Sequence, residues 1–313
     1  MRLLVLGLGA IGQRHVRAAR RVKPGIEVLA LRSKKGLGYY IDDKLDAKET
    51  TSIARELGIY ETESRDVASQ FKATHILDSR IPSVHLKRLG GLSDKKSMIL
   101  VEKPLSCLRL ECVERLATEE GLDKKRIFVG YHLLGSSSVK RLREELSCHR
   151  VRRYHLIHNE HIGYFQSFRT VESMHEAKMS LSGGIQYSFS HGLQLVNSLF
   201  GAPKLVGRDS SAKAMRKLIG TDIFPTEHLA LQHTEKGQEV YGRVDLAFDS
   251  HEPRFQLLVY CVDATFVVNF VDNCVSKWSG HKRVHEVCYP KETKVKLLEK
   301  QMQRFLDLQN LLT

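Results

Sequence analysis

The chain contains no apolar run near the roughly 20 residues that a membrane-spanning helix requires, which excludes a helical membrane protein. It has no block of five or six like charges, hence no tail-like arm, and no internal repeat or Pro/Ser-rich linker. The opening MRLLVLGLGAIG is too short and too glycine-rich for a signal peptide, so ordered structure is expected from the second residue. None of the six cysteines, Cys107, Cys112, Cys148, Cys261, Cys274 and Cys288, forms a CxxC pair. Without an export signal they read as free thiols in a reducing, cytoplasmic compartment. What remains is an ordinary globular composition of 313 residues, 42% hydrophobic and 27% charged, enough for one large domain or two average ones.

Charge is the one unusual quantity. Lys and Arg number 49 against 36 Asp and Glu, a formal net charge of +13. Such a balance suits nucleic acid, an acidic lipid surface or anionic small molecules. The basic residues are dispersed, from Arg14, Arg17, Arg20 and Arg21 to Lys291, Lys294, Lys296 and Lys300. No basic helix, finger or aromatic-stacking signature accompanies them. Anionic ligands and a generally basic surface are the favoured reading, with neither nucleic acid nor membrane as partner.

Hydrophobic patterning divides the chain. Short apolar runs at 3–6, 27–31, 75–77, 98–101 and 127–129 read as buried strands, with a further short strand at 59–61. Helical spacing occupies 11–21, 47–57, 82–89 and 108–120. Strand and helix in alternation predict a doubly wound parallel sheet of Rossmann type. Beyond about residue 150 the period shortens to two. Segments 151–157, 229–234, 239–247, 255–261, 265–270 and 283–288 predict an open, mainly antiparallel sheet with one helix at 186–199, and a last helix covers 294–312. The fold class is therefore α/β, with a dinucleotide-binding domain over 1–135 and an α+β substrate and oligomerisation domain over 136–313.

Gly7-Leu8-Gly9-Ala10-Ile11-Gly12 is a GxGxxG turn between a predicted strand and a predicted helix, the context that makes the motif specific. Gly7 permits the tight turn, Gly9 lets backbone amides approach a pyrophosphate, and Gly12 allows close helix–strand packing. Ala10 and Ile11 open the helix, whose N-terminus supplies partial positive charge. Twenty residues past Gly12, where an NAD site carries an acid for the ribose hydroxyls, stand Arg32 and Ser33. A guanidinium and a hydroxyl pair with a 2′-phosphate, so NADP is expected over NAD.

Val101-Glu102-Lys103-Pro104 ends the fifth parallel strand, at the sheet edge where ligands of doubly wound folds lie. A lysine there can hold a substrate oxygen and move its proton while hydride passes to or from a nicotinamide. Together with GLGAIGQRHVR at 7–17, VGYH at 129–132 and GGIQYSFSHGLQLVNSLFG at 183–201, this triplet resembles the Gfo/Idh/MocA (glucose–fructose oxidoreductase-like) family over nearly the whole chain. The resemblance implies a Rossmann domain, then an α/β domain whose open sheet makes dimer or tetramer contacts. It also implies nicotinamide-dependent oxidation or reduction of a sugar, cyclitol or related carbonyl. Ser190-His191 and the upstream Gly163-Tyr164 look most like members linked to sugar-nucleotide or nonulosonic acid pathways.

Residue by residue, the resemblance makes Lys103 the catalytic lysine and His191 the acid/base histidine, with Tyr187 an alternative proton donor. Glu102 would orient the strand end or touch the nicotinamide side, His85 falls near the cofactor, and Tyr131 and His132 lie close to the substrate, where the family has Gly-Tyr-Asn. Tyr164 and Arg169 lie where it places substrate loops, and Arg80, Arg169 and His175 suit an anionic group. The chain departs from the family where aspartates usually flank the histidine: Tyr187, Ser188 and Gln194 stand there. A catalytically weakened dinucleotide-binding protein, acting as sensor or assembly partner, is the competing reading. His155, His158 and His161 do not make a metal site, because strand alternation separates their faces and no acid or cysteine cluster completes them.

Overall fold

The computed structural model describes residues 1–33, 38–93, 96–105, 110–164, 171, 174, 176, 178, 184–210, 221, 223, 225–235 and 237–308. Two compact units emerge, Met1–His132 with Lys294–Thr313, and Leu133–Thr293. The last helix, which the sequence division at 135/136 assigns to the second domain, clusters with the first unit.

In the first unit, β1 (Arg2–Leu6), β2 (Glu27–Leu31), β5 (Tyr60–Thr62), β6 (His75–Asp78), β7 (Met98–Glu102) and β8 (Ile127–Gly130) form a parallel sheet in the order β5-β2-β1-β6-β7-β8. Side-chain alternation along β1 supplies both faces. Leu3 and Val5 pack with α1 (Ala10–Val22) and the last helix, α8 (Lys294–Asp307), through Val16, Ala19, Leu298, Met302 and Phe305. Leu4 and Leu6 face Ala68 of α3 (Arg65–Gln70) and Val113 and Ala117 of α4 (Leu110–Glu119). Each fully buried aliphatic side chain contributes about 1.5–3 kcal/mol. These two layers fix the carboxyl edge of the sheet, where the glycine turn and Lys103 lie.

The second unit holds eight strands in the order β10-β11-β12-β9-β13-β14-β15-β16. They are β9 (Val151–Asn159), β10 (Pro203–Ser210), β11 (Thr226–Glu235), β12 (Gln238–Ala247), β13 (Arg254–Cys261), β14 (Thr265–Asn269), β15 (Cys274–Ser279) and β16 (Lys282–Cys288). Every pairing is antiparallel except β12 with β9. Leu156, Val244, Leu257 and Val259 line the inner face under α5 (Ser137–Leu146) and α7 (Ser190–Phe200).

Four local expectations are corrected. Residues 47–50 extend into β4 (Ala47–Thr50), which pairs with β3 (Gly38–Ile41), and only α2 (Ile53–Leu57) is helical, started by Ser52 accepting from the Arg55 N–H. Segment 82–89 makes a single 3-10 turn, Pro82–Val84, because Leu86 (φ 64°) and Arg88 (φ 62°) leave helical space. The helix at 186–199 breaks at Phe189 into α6 (Ile185–Ser188) and α7. Finally, Cys274 and Cys288 face each other across the β15–β16 ladder and are disulfide-bonded. The free-thiol expectation fails for this pair, and with it the argument from cysteine to a reducing compartment. Cys107 lies outside the described residues. No described helix is long and apolar enough to cross a membrane.

Candidate active site

The glycine turn has the shape the motif requires. Gly7 adopts φ +91°, a conformation that favours glycine. A methyl group on Gly12 would lie 2.3 Å from the Gly7 carbonyl oxygen and 2.6 Å from Ser79 Oγ, so helix and strand meet without room for a side chain. Ser79 closes the floor, its hydroxyl donating to the carbonyls of Leu6 and Gly7 at 3.1 and 2.7 Å. At Gly9, the N-cap of α1, a methyl would meet nothing within 4 Å. Ala10 and Ile11 follow it in the first turn, which carries no acidic residue. Open space before the first-turn N–H groups of a helix with no side-chain cap and no acid in that turn fits a diphosphate.

At the end of β2, Arg32 Nη1 donates to Glu61 Oε2 at 2.8 Å, and both side chains are largely buried. Glu61 reaches it from β5, beside Ala30 in the ladder. This carboxylate beside Arg32 escapes sequence reading, because only the strand order brings the two residues together. Ser33 is exposed.

After β6, Asp78 is fully buried and takes Arg80 in a fork, at 2.8 Å from Nε and 2.7 Å from Nη2; it also accepts the Leu86 N–H at 3.1 Å. Arg80 spends its fork within the loop rather than on an anionic substrate. His85 is buried as well. Its Nε2 lies 2.7 Å from the Arg80 carbonyl oxygen, and its Nδ1 lies 3.1 and 3.2 Å from those of Pro104 and Leu105. The ring therefore ties the β6 loop to the loop after β7.

Glu102 ends β7, buried, and Lys103 follows it, half-buried, with a cis peptide bond to Pro104. Glu102 Oε1 lies 2.5 Å from His15 Nε2, and Oε2 accepts the Lys103 backbone N–H at 3.2 Å. Burial pushes the Glu102 carboxyl up, but the opposing influences, the His15 hydrogen bond first among them, outweigh it and hold the group below the usual carboxylate range. Burial pushes His132 down to about 4 against the opposing pull of Glu102, which leaves its imidazole neutral at pH 7. Tyr131, between β8 and His132, is half-buried. Arg14, one residue before His15, is driven below its ordinary value by burial. His15 was missed as a site residue. Its signal was a histidine on the apolar face of α1, among Gly12, Val16, Ala18 and Ala19.

In the second unit, Phe189 is buried between the two helices, its ring 4.1 Å from that of His158 and 5.0 Å from that of Phe248. Half-buried Tyr187 and His191 flank it, and a methyl on Gly192 would meet Leu156 at 2.9 Å, so α7 rests tightly on β9. His158 also stacks on Phe255 at 3.8 Å, whereas His155 bonds Asp245 at 2.6 Å and His161 stacks on His251 at 4.6 Å. The three histidines thus have separate partners. Arg169, His175 and the Tyr164 side chain lie outside the described residues.

No protein-family model and no curated protein sequence matches the chain. Solved structures do match in fold. Levoglucosan dehydrogenase in complex with NADH and L-sorbose is similar over 99% of this chain and 90% of that one, at 11% identity and a TM-score of 0.76. The WlbA dehydrogenase of Bordetella pertussis, in complex with NADH and UDP-GlcNAcA, is similar over 100% and 85%, at 16% identity and a TM-score of 0.67. Biliverdin reductase of Synechocystis sp. PCC 6803, with biliverdin and NADP+, is similar over 98% and 89%, at 12% identity and a TM-score of 0.71. Identities this low establish the shared two-part α/β architecture.

Proposed function

We propose that this chain is a nicotinamide-dependent oxidoreductase acting on a carbonyl or hydroxyl group of a sugar-like or sugar-acid substrate. The observation that carries the reading is the glycine turn: Gly12 closed against Gly7 and Ser79, with open space at Gly9, on the same sheet edge as Glu102-Lys103-Pro104. Levoglucosan dehydrogenase and WlbA, both similar in fold, are named as dehydrogenases with NADH and a sugar-type ligand, which supports the substrate class.

The backbone amides at Gly9, Ala10 and Ile11 hold the diphosphate. When bound, the coenzyme supplies or accepts hydride. Lys103 holds the reacting substrate oxygen and donates to it as charge develops. His191 handles the accompanying proton, with Tyr187 the alternative donor. Arg32 and Ser33 favour NADP over NAD: no carboxylate occupies position 32, and the guanidinium keeps donors beyond the one given to Glu61. The eight-stranded sheet exposes one face, with Tyr241 among its residues, and a homodimer or homotetramer through that face is part of the reading.

Isothermal titration with NADPH and with NADH tests the proposal. Saturable heat with at least one, tighter for NADPH, is the expected result; no heat with either overturns it. Ser188 and Gln194, standing where the similar family carries aspartates, favour a second reading as a dinucleotide-binding sensor without turnover. Binding with no turnover over a panel of sugar carbonyls would select it.

A further inference from the structure

Glu102 has a carboxylate in a closed setting. Its oxygens meet His15 Nε2 from α1 and the Lys103 N–H, and a methyl on Gly130 of β8 would stand 2.8 Å from Oε1 and 3.2 Å from Gln301 Nε2 of α8. His15 is fully buried and lies three residues past Gly12, in the first turns of the helix that follows the glycine turn. One short bond therefore connects the diphosphate helix to the loop that carries the lysine. A buried carboxylate needs such a partner, because desolvation otherwise favours its protonated form.

We propose that His15 is a positioning residue for Lys103: it holds the Glu102 carboxylate as an anion at the base of the lysine loop, and so sets the charge state of the lysine from the coenzyme helix. The charged and titratable groups around that carboxylate, among the described residues, are His15 and Arg14 from α1, Lys103 next to it in the chain, and His132 after β8. Of these, His15 bonds the carboxylate side chain to side chain, at 2.5 Å. An anion held near Lys103 stabilises its ammonium form. Without the His15 bond, the upward influence of burial on Glu102 is less opposed, and the anion beside Lys103 is weakened. The two single changes, at His15 and at Glu102, must then act on Lys103 alike and must not add.

The inference rests on Lys103 as the reactive lysine of the proposed function, but its test needs no coenzyme. Competitive acylation with acetic anhydride, read by mass spectrometry of the Lys103 peptide across pH, gives the lysine's titration midpoint in the intact protein. Glu102→Gln should lower the midpoint by about one pH unit. His15→Phe should lower it in the same direction and by no more than that, His15→Gln should restore most of the shift, and His15→Phe/Glu102→Gln should match Glu102→Gln alone. A wild-type midpoint in folded His15→Phe, or shifts that sum in the double variant, overturns the proposal. Should His15→Phe not fold, Glu102→Gln decides: a Lys103 midpoint it leaves unmoved is equally contradictory. Absence of coenzyme heat would remove the proposed function and leave the labelling result standing.

Discussion

Alanine at Gly9 and alanine at Gly12 should separate coenzyme binding from folding. At Gly12 the new methyl would sit 2.3 Å from a backbone oxygen and 2.6 Å from a hydroxyl already bonded to two carbonyls. Neither can yield without moving the turn, and overpacking of this kind costs about 1–3 kcal/mol. For a unit of this size that corresponds to a Tm lowered by about 2–12 °C. At Gly9, with φ −67° and nothing within 4 Å, alanine fits the unliganded chain, so stability should stay within about 1 kcal/mol of wild type. The methyl would, however, fill the approach of a diphosphate. Loss of one charge-assisted backbone bond, worth about 1.5–3 kcal/mol, weakens coenzyme binding about 10- to 150-fold. Calorimetric Kd and scanning Tm on both variants make the assay. Wild-type Kd values for NADPH and NADH in Gly9→Ala would refute the cradle, and an unchanged Tm in Gly12→Ala would refute the packing argument.

Acid should destabilise the first unit through His75, which is fully buried and edge-on to Phe305 at 5.0 Å. Burial lowers it from 6.5 to about 4, so protons favour the unfolded chain; stability is complete above pH 6.5 and falls by up to about 3 kcal/mol as pH drops to 4. Denaturant titrations at several pH values should show a shallower acid limb in His75→Leu, and an identical limb would contradict this. Coenzyme choice should follow Arg32 and Glu61. Arg32→Ala should weaken NADPH at least tenfold relative to NADH, and Glu61→Gln, which frees the guanidinium, should strengthen NADPH; unchanged Kd ratios in both would show that the pair does not select.

Local chemistry was legible in the sequence where it repeats along the chain. The strands at the start of the first unit follow from runs such as Leu3–Leu6, whose burial the sheet requires, and the glycine turn follows from sterics at Gly7 and Gly12. What stayed hidden depends on residues distant in sequence. Glu61 meets Arg32 only because β5 borders β2. His15 meets Glu102 across 87 residues. Arg80 reads in sequence as available to an anion, but the loop folds it onto Asp78, and the contacts of His85 with the carbonyls of Arg80, Pro104 and Leu105 are not legible in the sequence. The Cys274–Cys288 bond needed a hairpin register that spacing alone does not supply. The 47–50 segment failed for a related reason, since pairing with Gly38–Ile41 overrode its helical period.

The central claim is that the glycine turn holds a nicotinamide coenzyme whose reactive ring faces Lys103. Acylation of Lys103 with and without saturating NADPH, read as the labelling rate of its peptide, tests both halves at once. The account predicts that NADPH slows the labelling of Lys103 at least tenfold while leaving exposed lysines such as Lys140 unchanged. Equal rates for Lys103 with and without NADPH, at a concentration that calorimetry shows to be saturating, would contradict it.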